Sequence, residues 1–272
     1  MYYNLLGVIY VAIGEWKTFL IPYSQAVEEL KVKFKSIRKE YRKKNEYSPI
    51  EFVTGRVKEI SSILEKANKF NIPLDRIGYE MEDIAGIRVM CQFVDDIEKV
   101  VKIIRNRKDM SIMYEKDYIS NVKESGYRSY HVIIKYPVNM AEGEKEILAE
   151  FQIRTLAMNF WATIEHSLNY KYKQDIPGGI KLKLKSAADA AFQLDQQMLE
   201  IKDEIKDAQK LFEVKSSLVS DIMNNILTMS SMGKLTESTR YQVQLNNLIE
   251  EGEVSELVSL LRSTEKLLQM YK

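Results

Sequence analysis

A chain of 272 residues with 45% hydrophobic and 29% charged side chains has the make-up of an ordinary globular protein of one or two domains, long enough to bury a core. Its net charge of +1 excludes a polybasic or acidic character as a guide to partners, so charge has to be read locally. A single cysteine, Cys91, excludes an internal disulfide framework, and one cysteine with two histidines leaves few ligands for zinc.

The apolar run Leu5–Ile13 is nine residues long, whereas a membrane helix needs about 20. No basic residue precedes it and no small-residue cleavage pattern follows, so neither a membrane span nor a signal peptide is expected. An extra helix or strand docked on the fold and a product of an upstream start codon both stay open for residues 1–15. Pro22 stands just before a helical pattern in which Tyr23, Val27, Leu30, Phe34, Ile37 and Tyr41 recur at helical spacing. The other face is basic, with Lys31, Lys33, Lys35, Arg38, Lys39, Arg42, Lys43 and Lys44 against Glu40. Asn45, Ser48 and Pro49 end this helix, and a second is expected over Val57–Phe70.

Strand patterns follow. Gly86–Val94 is rich in β-formers and holds Cys91 as a buried small hydrophobe, a thiol suited to a reducing, cytoplasmic setting. Asp95 and Asp96 mark a turn before a helix over Ile97–Arg107. Ser111–Tyr114, Tyr130–Tyr136 and Glu146–Arg154 read as strands, the last two joined by a polar hairpin containing Gly143. From Leu156 onward the pattern is helical, with a coiled-coil-like seam of Leu194, Met198, Ile201, Ile205 and Ala208. Burial of this seam within the chain and use between chains both stay open. A small helical unit from Leu211, punctuated by Ser230, Ser231 and Gly233, ends on an amphipathic stretch of Leu257, Leu260, Leu261, Leu267 and Leu268. The order is that of an α+β protein.

Chemistry points to the strands. On Glu146–Arg154, Ile147, Ala149, Phe151 and Ile153 share one face, and Leu148, Glu150, Gln152 and Arg154 the other. Glu150 suits a solvated outer face or a site. Arg88 and His131 alternate away from apolar neighbours on their own strands, and Asp83 immediately precedes the first. If these polar faces coincide, two carboxylates, an arginine and a histidine converge. Two carboxylates can anchor Mg²⁺, which takes the rest of its ligands from water and phosphate; cations around them give a phosphoryl-transfer layout. Arg56, Lys58, Lys66 and Lys69 precede the Asp83 loop as a set able to bind a triphosphate. The segment Lys116–His131 adds basic groups, a glycine and aromatics able to stack on a base. Neither a GxxxxGK[ST] nor a GxGxxG pattern occurs.

The segments MEDIAGIRVM (81–90), KDYISNVKESGYRSYH (116–131) and AEFQIRTLAMNFWATIEHSLNYKY (149–172) resemble the synthetase domain of RelA/SpoT-type alarmone synthetases. SPIEFVTGRVK (48–58) and QFVDDI (92–97) bring the chain closer to the small, single-domain, RelQ-like group. The resemblance covers roughly Trp16 to Phe212, giving an expected synthetase domain at 16–212 and a helical C-terminal extension at 213–272. It implies a mixed β-sheet flanked by helices, a nucleotidyltransferase-like synthetase fold. It implies transfer of the β,γ-pyrophosphate of ATP to the 3′-hydroxyl of GDP or GTP, with release of AMP and with Mg²⁺ as cofactor.

Residue by residue, Asp83 matches the metal-binding aspartate, and Glu150 the glutamate that lies near the metal and deprotonates the acceptor. Arg56 and Arg88 match the pair that sandwiches adenine, and Lys58, Lys66 and Lys69 match contacts to ATP phosphates. Tyr127 matches the residue that stacks on guanine and Asn159 one that reads its edge. Lys116, Lys123 and His131 would hold the acceptor's phosphates. Small relatives assemble as homotetramers and bind alarmone at a regulatory cleft, which Lys31, Lys35, Arg38, Phe52 and Thr54 match here. The same basic face is also suited to single-stranded RNA.

The chain departs from the long bifunctional relatives in carrying Tyr114-Glu115-Lys116-Asp117 in place of Arg-x-Lys-Asp, which leaves the choice of GDP or GTP open. It has no His-Asp dipeptide, so alarmone hydrolysis is not expected. A catalytically weak relative serving as an alarmone- and RNA-binding regulatory module is the alternative.

Overall fold

The computed structural model describes the backbone of residues 3–171 and 177–271 and the side chains of 15–168, 177–249 and 252–271. Two compact units, Met1–Leu199 and Glu200–Lys272, divide within one long helix. The first contains α1 (Tyr3–Lys43), β1 (Phe52–Val57), α2 (Ile60–Phe70), a 3₁₀ turn (Leu74–Arg76), α3 (Ile77–Glu80), β2 (Ala85–Cys91), α4 (Val94–Arg105), β3 (Ser111–Asp117), β4 (Tyr130–Met140), β5 (Gly143–Thr155), α5 (Leu156–Lys171) and the start of α6 (Gly178–Ser231). The second contains the end of α6, α7 (Leu235–Glu251) and α8 (Val254–Met270).

The strands form one mixed sheet in the order β1-β2-β5-β4-β3, in which only the β2–β5 pair is parallel. Strand alternation divides it into two faces. Val53, Ile87, Val89, Val132, Ile134, Ala149, Phe151 and Ile153 point into the core. There they meet Tyr23, Leu30 and Phe34 of α1, Ile63 of α2, Ile77 of α3, and Ile97, Val100 and Ile104 of α4. The opposite face is polar. A smaller cluster of Trp161, Ala162 and Ala188, with Tyr127 and Ala191 against it, joins α5 and α6 to the β3–β4 loop.

Several expectations are corrected. Pro22 lies inside α1, not before it. A proline in a helix interior costs about 3 kcal/mol, but Trp16, Phe19 and Leu20 ahead of it pack on the same core as Tyr23 and Val27 behind it. The ring contacts Trp16–Phe19 and Phe19–Tyr23, at 5.5 and 5.3 Å, bridge the approach to it. The run Leu5–Ile13 belongs to α1 as helix, and its docking lies outside the described side chains.

Val57 closes a strand rather than opening a helix, and α2 starts at Ile60. Strand β1 depends on Gly55, where a Cβ would come within 2.8 Å of Val27 Cγ1; the bare backbone lets the edge strand sit against α1. Asp95 and Asp96 lie in the first turn of α4 rather than in a separate turn. Carboxylates are favoured there because the first-turn N–H groups lack partners. The strand before them ends at Cys91, not Val94, and α4 ends at Arg105, not Arg107.

The second unit packs Ile222 and Ile226 of α6, Leu245 of α7 and Leu257 and Leu260 of α8 into its own core. Asn225 Nδ2 donates to Thr264 Oγ1 at 3.0 Å. Leu194, Met198, Ile201 and Ile205 remain 43–54% exposed, so the chain does not bury the seam itself. Among the described residues no helix is long and apolar enough to cross a membrane.

Candidate active site

Strand register assembles the polar face in rows. Thr54, Arg88, Gln152, His131 and Lys116 stand opposite one another across all five strands. The adjacent row runs Arg56, Gly86, Glu150, Ile133 and Tyr114. Period-two alternation therefore brings together side chains from five separate segments.

A small cavity of about 20 Å³ is lined by Arg56, Asp83, Gly86, Arg88, Glu150 and Gln152. A larger one of about 360 Å³ shares Arg56, Arg88 and Gln152 with it. Lys123, Tyr127, Arg154, Ala162, Thr163, Glu165 and His166 complete the larger wall. The two carboxylates thus sit at one end and Tyr127 with Lys123 at the other, with the two arginines common to both.

Asp83 pairs with Lys58 and Lys66, each at 2.9 Å. Burial works against its ionisation, but the Lys66 and Lys58 ammonium groups outweigh it and hold the carboxyl below its ordinary value. Glu150 is 9% exposed. Burial pushes its carboxyl up, and contact with His131 and a hydrogen bond from Gln152 more than reverse this, so it too is held low. His131 Nδ1 lies 2.8 Å from Glu150 Oε1, and Gln152 Nε2 donates to Oε2 at 2.7 Å.

The contacts continue into a closed ring. Arg154 donates from Nη2 to Gln152 Oε1 at 2.8 Å and to Tyr127 Oη at 2.6 Å, and Tyr127 Oη lies 2.8 Å from His131 Nε2. Both ring nitrogens of His131 are therefore engaged. Lys123 Nζ lies 4.3 Å from the Tyr118 ring centroid and 4.9 Å from that of Tyr127. Burial depresses the Arg88 guanidinium, and the Arg56 and Arg154 charges add to it. Three arginines on one sheet face leave the site short of negative charge, the condition a polyphosphate relieves.

The remaining expected residues are less convergent. Lys69 follows Lys66 by three residues, but its ammonium lies 5.7 Å from the Phe70 ring. Lys116 lies 3.4 Å from Glu82, which also hydrogen-bonds Tyr114. Asn159 sits on α5 just before Ala162 and Thr163, and its buried Oδ1 has no hydrogen-bond partner among the described residues. Lys31, Lys35 and Arg38 follow one stripe of α1, with Lys31 paired to Glu28 at 2.7 Å and Arg38 to Glu51 at 2.9 Å. Phe52 and Thr54 project from β1 on the polar face. None of these five lines either cavity. Gln152, Arg154 and His166 also line the larger cavity, although the resemblance assigns them no role. For the first two the signal was present, since they alternate with Glu150 on β5.

Among the described residues no group of three or more His, Cys, Asp and Glu gathers as a metal cluster. Two ionised carboxylates in one small cavity fit Mg²⁺ instead, which needs only one or two from the protein.

Residues 55–175 match the family described as the region found in RelA / SpoT proteins. The GTP pyrophosphokinase YjbM of Bacillus subtilis is 57% identical over 201 residues, which is 74% of this chain and 95% of that one. The chain belongs to the RelA/SpoT family. Among solved structures, small alarmone synthetase 1 from B. subtilis bound to its product pppGpp superposes with a TM-score of 0.68 at 58% identity, over 70% of this chain and 98% of that one. The same enzyme bound to AMPCPP superposes with a TM-score of 0.63 at 53% identity, over 71% and 98%. These matches establish the mixed-sheet synthetase fold, and about a quarter of this chain lies beyond them.

Proposed function

We propose that this chain is a GTP pyrophosphokinase that moves the β,γ-pyrophosphate of ATP onto the 3′-hydroxyl of GDP or GTP and releases AMP, without hydrolysing the product. The observation that carries this is the shared wall of Arg56 and Arg88 between the carboxylate pair and the Tyr127 end of the cavity. Donor and acceptor would meet over that wall. The relatives named as pyrophosphokinases, and the structures of one bound to pppGpp and to AMPCPP, support it.

Arg56 and Arg88 present planar guanidinium groups able to stack on adenine. Lys58 and Lys66 supply positive charge for the phosphates; Lys69 lies further out. Asp83 and Glu150 would hold Mg²⁺, which supplies charge neutralisation on the transferred group. The acceptor 3′-oxygen forms a bond to the β-phosphorus as the bond from that phosphorus to the oxygen of AMP breaks. Glu150, already ionised, takes the 3′-hydroxyl proton; general-base help of this kind is worth on the order of 10²–10⁴ in rate. Tyr127 offers a face for guanine, and the unpaired Asn159 Oδ1 an acceptor for its N–H groups. Lys123, in the wall of the larger cavity, would meet the acceptor's phosphates, with Lys116 further out beside Glu82. Both histidines of the chain are spent on this site, since His131 braces Glu150 and His166 lines the cavity.

The proposal extends to a cytoplasmic homotetramer with no membrane role, supported by the exposed seam from Leu194 to Ile205. It also extends to an alarmone or single-stranded RNA held by Lys31, Lys35, Arg38, Phe52 and Thr54, supported by the basic stripe of α1. Incubation with ATP, Mg²⁺ and either GDP or GTP tests the activity. AMP and a 3′-pyrophosphorylated guanine nucleotide should appear in equal amounts, and absence of both with either acceptor would refute it.

A further inference from the structure

The loop that carries Lys123 and Tyr127 is fastened at a place the family match does not reach. Gly126 N donates to Lys123 O at 2.8 Å, closing a tight turn whose glycine has φ +88°. This turn lies on α6. A Cβ at position 126 would stand 2.6 Å from Ala188 Cβ and 3.4 Å from Lys185 Cα, so only a glycine lets the loop come so close.

Arg128, the residue after Tyr127, reaches the same helix. Its Nη1 donates to Gly126 O at 3.1 Å and to Ala188 O at 3.4 Å, and its Nη2 to Asp189 Oδ1 at 3.0 Å. Its guanidinium lies 4.5 Å from the Phe192 ring centroid. The Arg128 side chain is 11% exposed, whereas Asp189 is 49% exposed. The arginine is thus enclosed by the contact, and the carboxylate is its solvent-facing end. Ala188, Asp189 and Phe192 all lie beyond residue 175, where the family match ends.

We propose that Arg128 is a positioning residue for the acceptor: with Gly126 it docks the 123–129 loop on α6 and thereby sets where Tyr127 and Lys123 stand. The inference rests on the acceptor role assigned to that loop. Tyr127 is held from two directions. Its phenol is tied to the sheet through Arg154 and His131, and its backbone is tied to α6 through the residues on either side of it. The carboxylate end of the site makes none of the contacts described for Arg128. Loosening the dock therefore displaces acceptor groups and leaves the ATP groups in place.

The test compares Michaelis constants for GDP and for ATP in the wild type, Arg128→Lys, Arg128→Met and Ala188→Val. The last variant leaves every loop residue unchanged and pushes on Gly126 from the helix side. Arg128→Met should raise the KM for GDP by about tenfold or more, with the KM for ATP changed less than about twofold and kcat at saturating GDP within about threefold. Arg128→Lys should fall between, since an ammonium keeps the charge and loses the fork and the stacking. Ala188→Val should show the same GDP-selective rise, which keeps the inference testable if Arg128→Met does not fold. Equal rises in both constants, or none in either, would overturn the docking role. No guanine product from the wild type would instead refute the assigned activity.

Discussion

The two compact units use their interiors differently. Among described residues, 1–199 bury Asp96, Ser129, His131, Glu150, Arg154, Thr155 and Asp195 beside an apolar core, whereas in 200–272 Thr264 is the buried polar side chain. Burying a charge is costly unless it is paired and hydrogen-bonded. The first unit meets that cost with a closed ring of contacts through Glu150, Gln152, Arg154, Tyr127 and His131. The second packs Ile222, Ile226, Leu245, Leu257 and Leu260 together, and its buried Thr264 hydroxyl is met by Asn225 and by Leu261 O. The ring lies at the candidate site, while the first unit's other buried carboxylates, Asp96 and Asp195, are bonded elsewhere, to Lys99 and to Thr155.

The sharpest way to break this contrast is at Glu150. Glu150→Gln keeps the size and the contact from Gln152, so the fold should persist while turnover falls by about 10²–10⁴. An unaltered rate would remove Glu150 from the mechanism. On the other face of the same strand, Phe151→Ala should cost about 3–5 kcal/mol of stability, read by denaturant unfolding, with the surviving folded fraction turning over normally.

In the second unit, Leu245→Ala should cost about 2–5 kcal/mol locally. Faster amide exchange over 200–272 should accompany an unchanged rate of pyrophosphate transfer. A loss of turnover there would show that the second unit takes part in catalysis.

Asp195 tests the buried-charge side more gently. Its carboxyl is buried, with Thr155 Oγ1 donating to Oδ2 at 2.6 Å, and burial pushes its pKa up to about 6. Its folded pKa is above the unfolded one, so its contribution is fully present below about pH 3.9. That contribution is lost as pH rises through about 6. Asp195→Asn should abolish this loss and raise stability at pH 8 by on the order of 1–3 kcal/mol relative to the wild type. Equal pH slopes between pH 4 and 7 in the two proteins would contradict it. The smallest contrast separates two lysines. Lys66→Ala should raise the KM for ATP by about tenfold, and Lys69→Ala by less than about threefold, because only Lys66 pairs with Asp83.

Much of this was legible in the amino-acid pattern. Alternation along β5 separated Phe151 from Glu150, and spacing on α1 placed Tyr23, Val27, Leu30 and Phe34 in the core. What escaped depends on contacts distant in sequence. Lys66 and Lys69 share a helix face, and only the fold shows which one reaches Asp83. His131 stands opposite Gln152 in register and reaches diagonally to Glu150, so its bracing role has no sequence signature. β1 was hidden because Gly55 is a poor strand former that is required by the approach of α1. Pro22 misled because local propensity is a weak guide where core packing on both sides of it dominates.

The central claim is that the carboxylate end of this sheet face transfers an intact pyrophosphate. Following ATP labelled at the γ-phosphate in the wild type and Glu150→Gln tests it directly. The account predicts label at the 3′ position of the guanine nucleotide with unlabelled AMP released, and almost none transferred by the variant. Label released as inorganic pyrophosphate, or transfer that persists at the wild-type rate in Glu150→Gln, would contradict it.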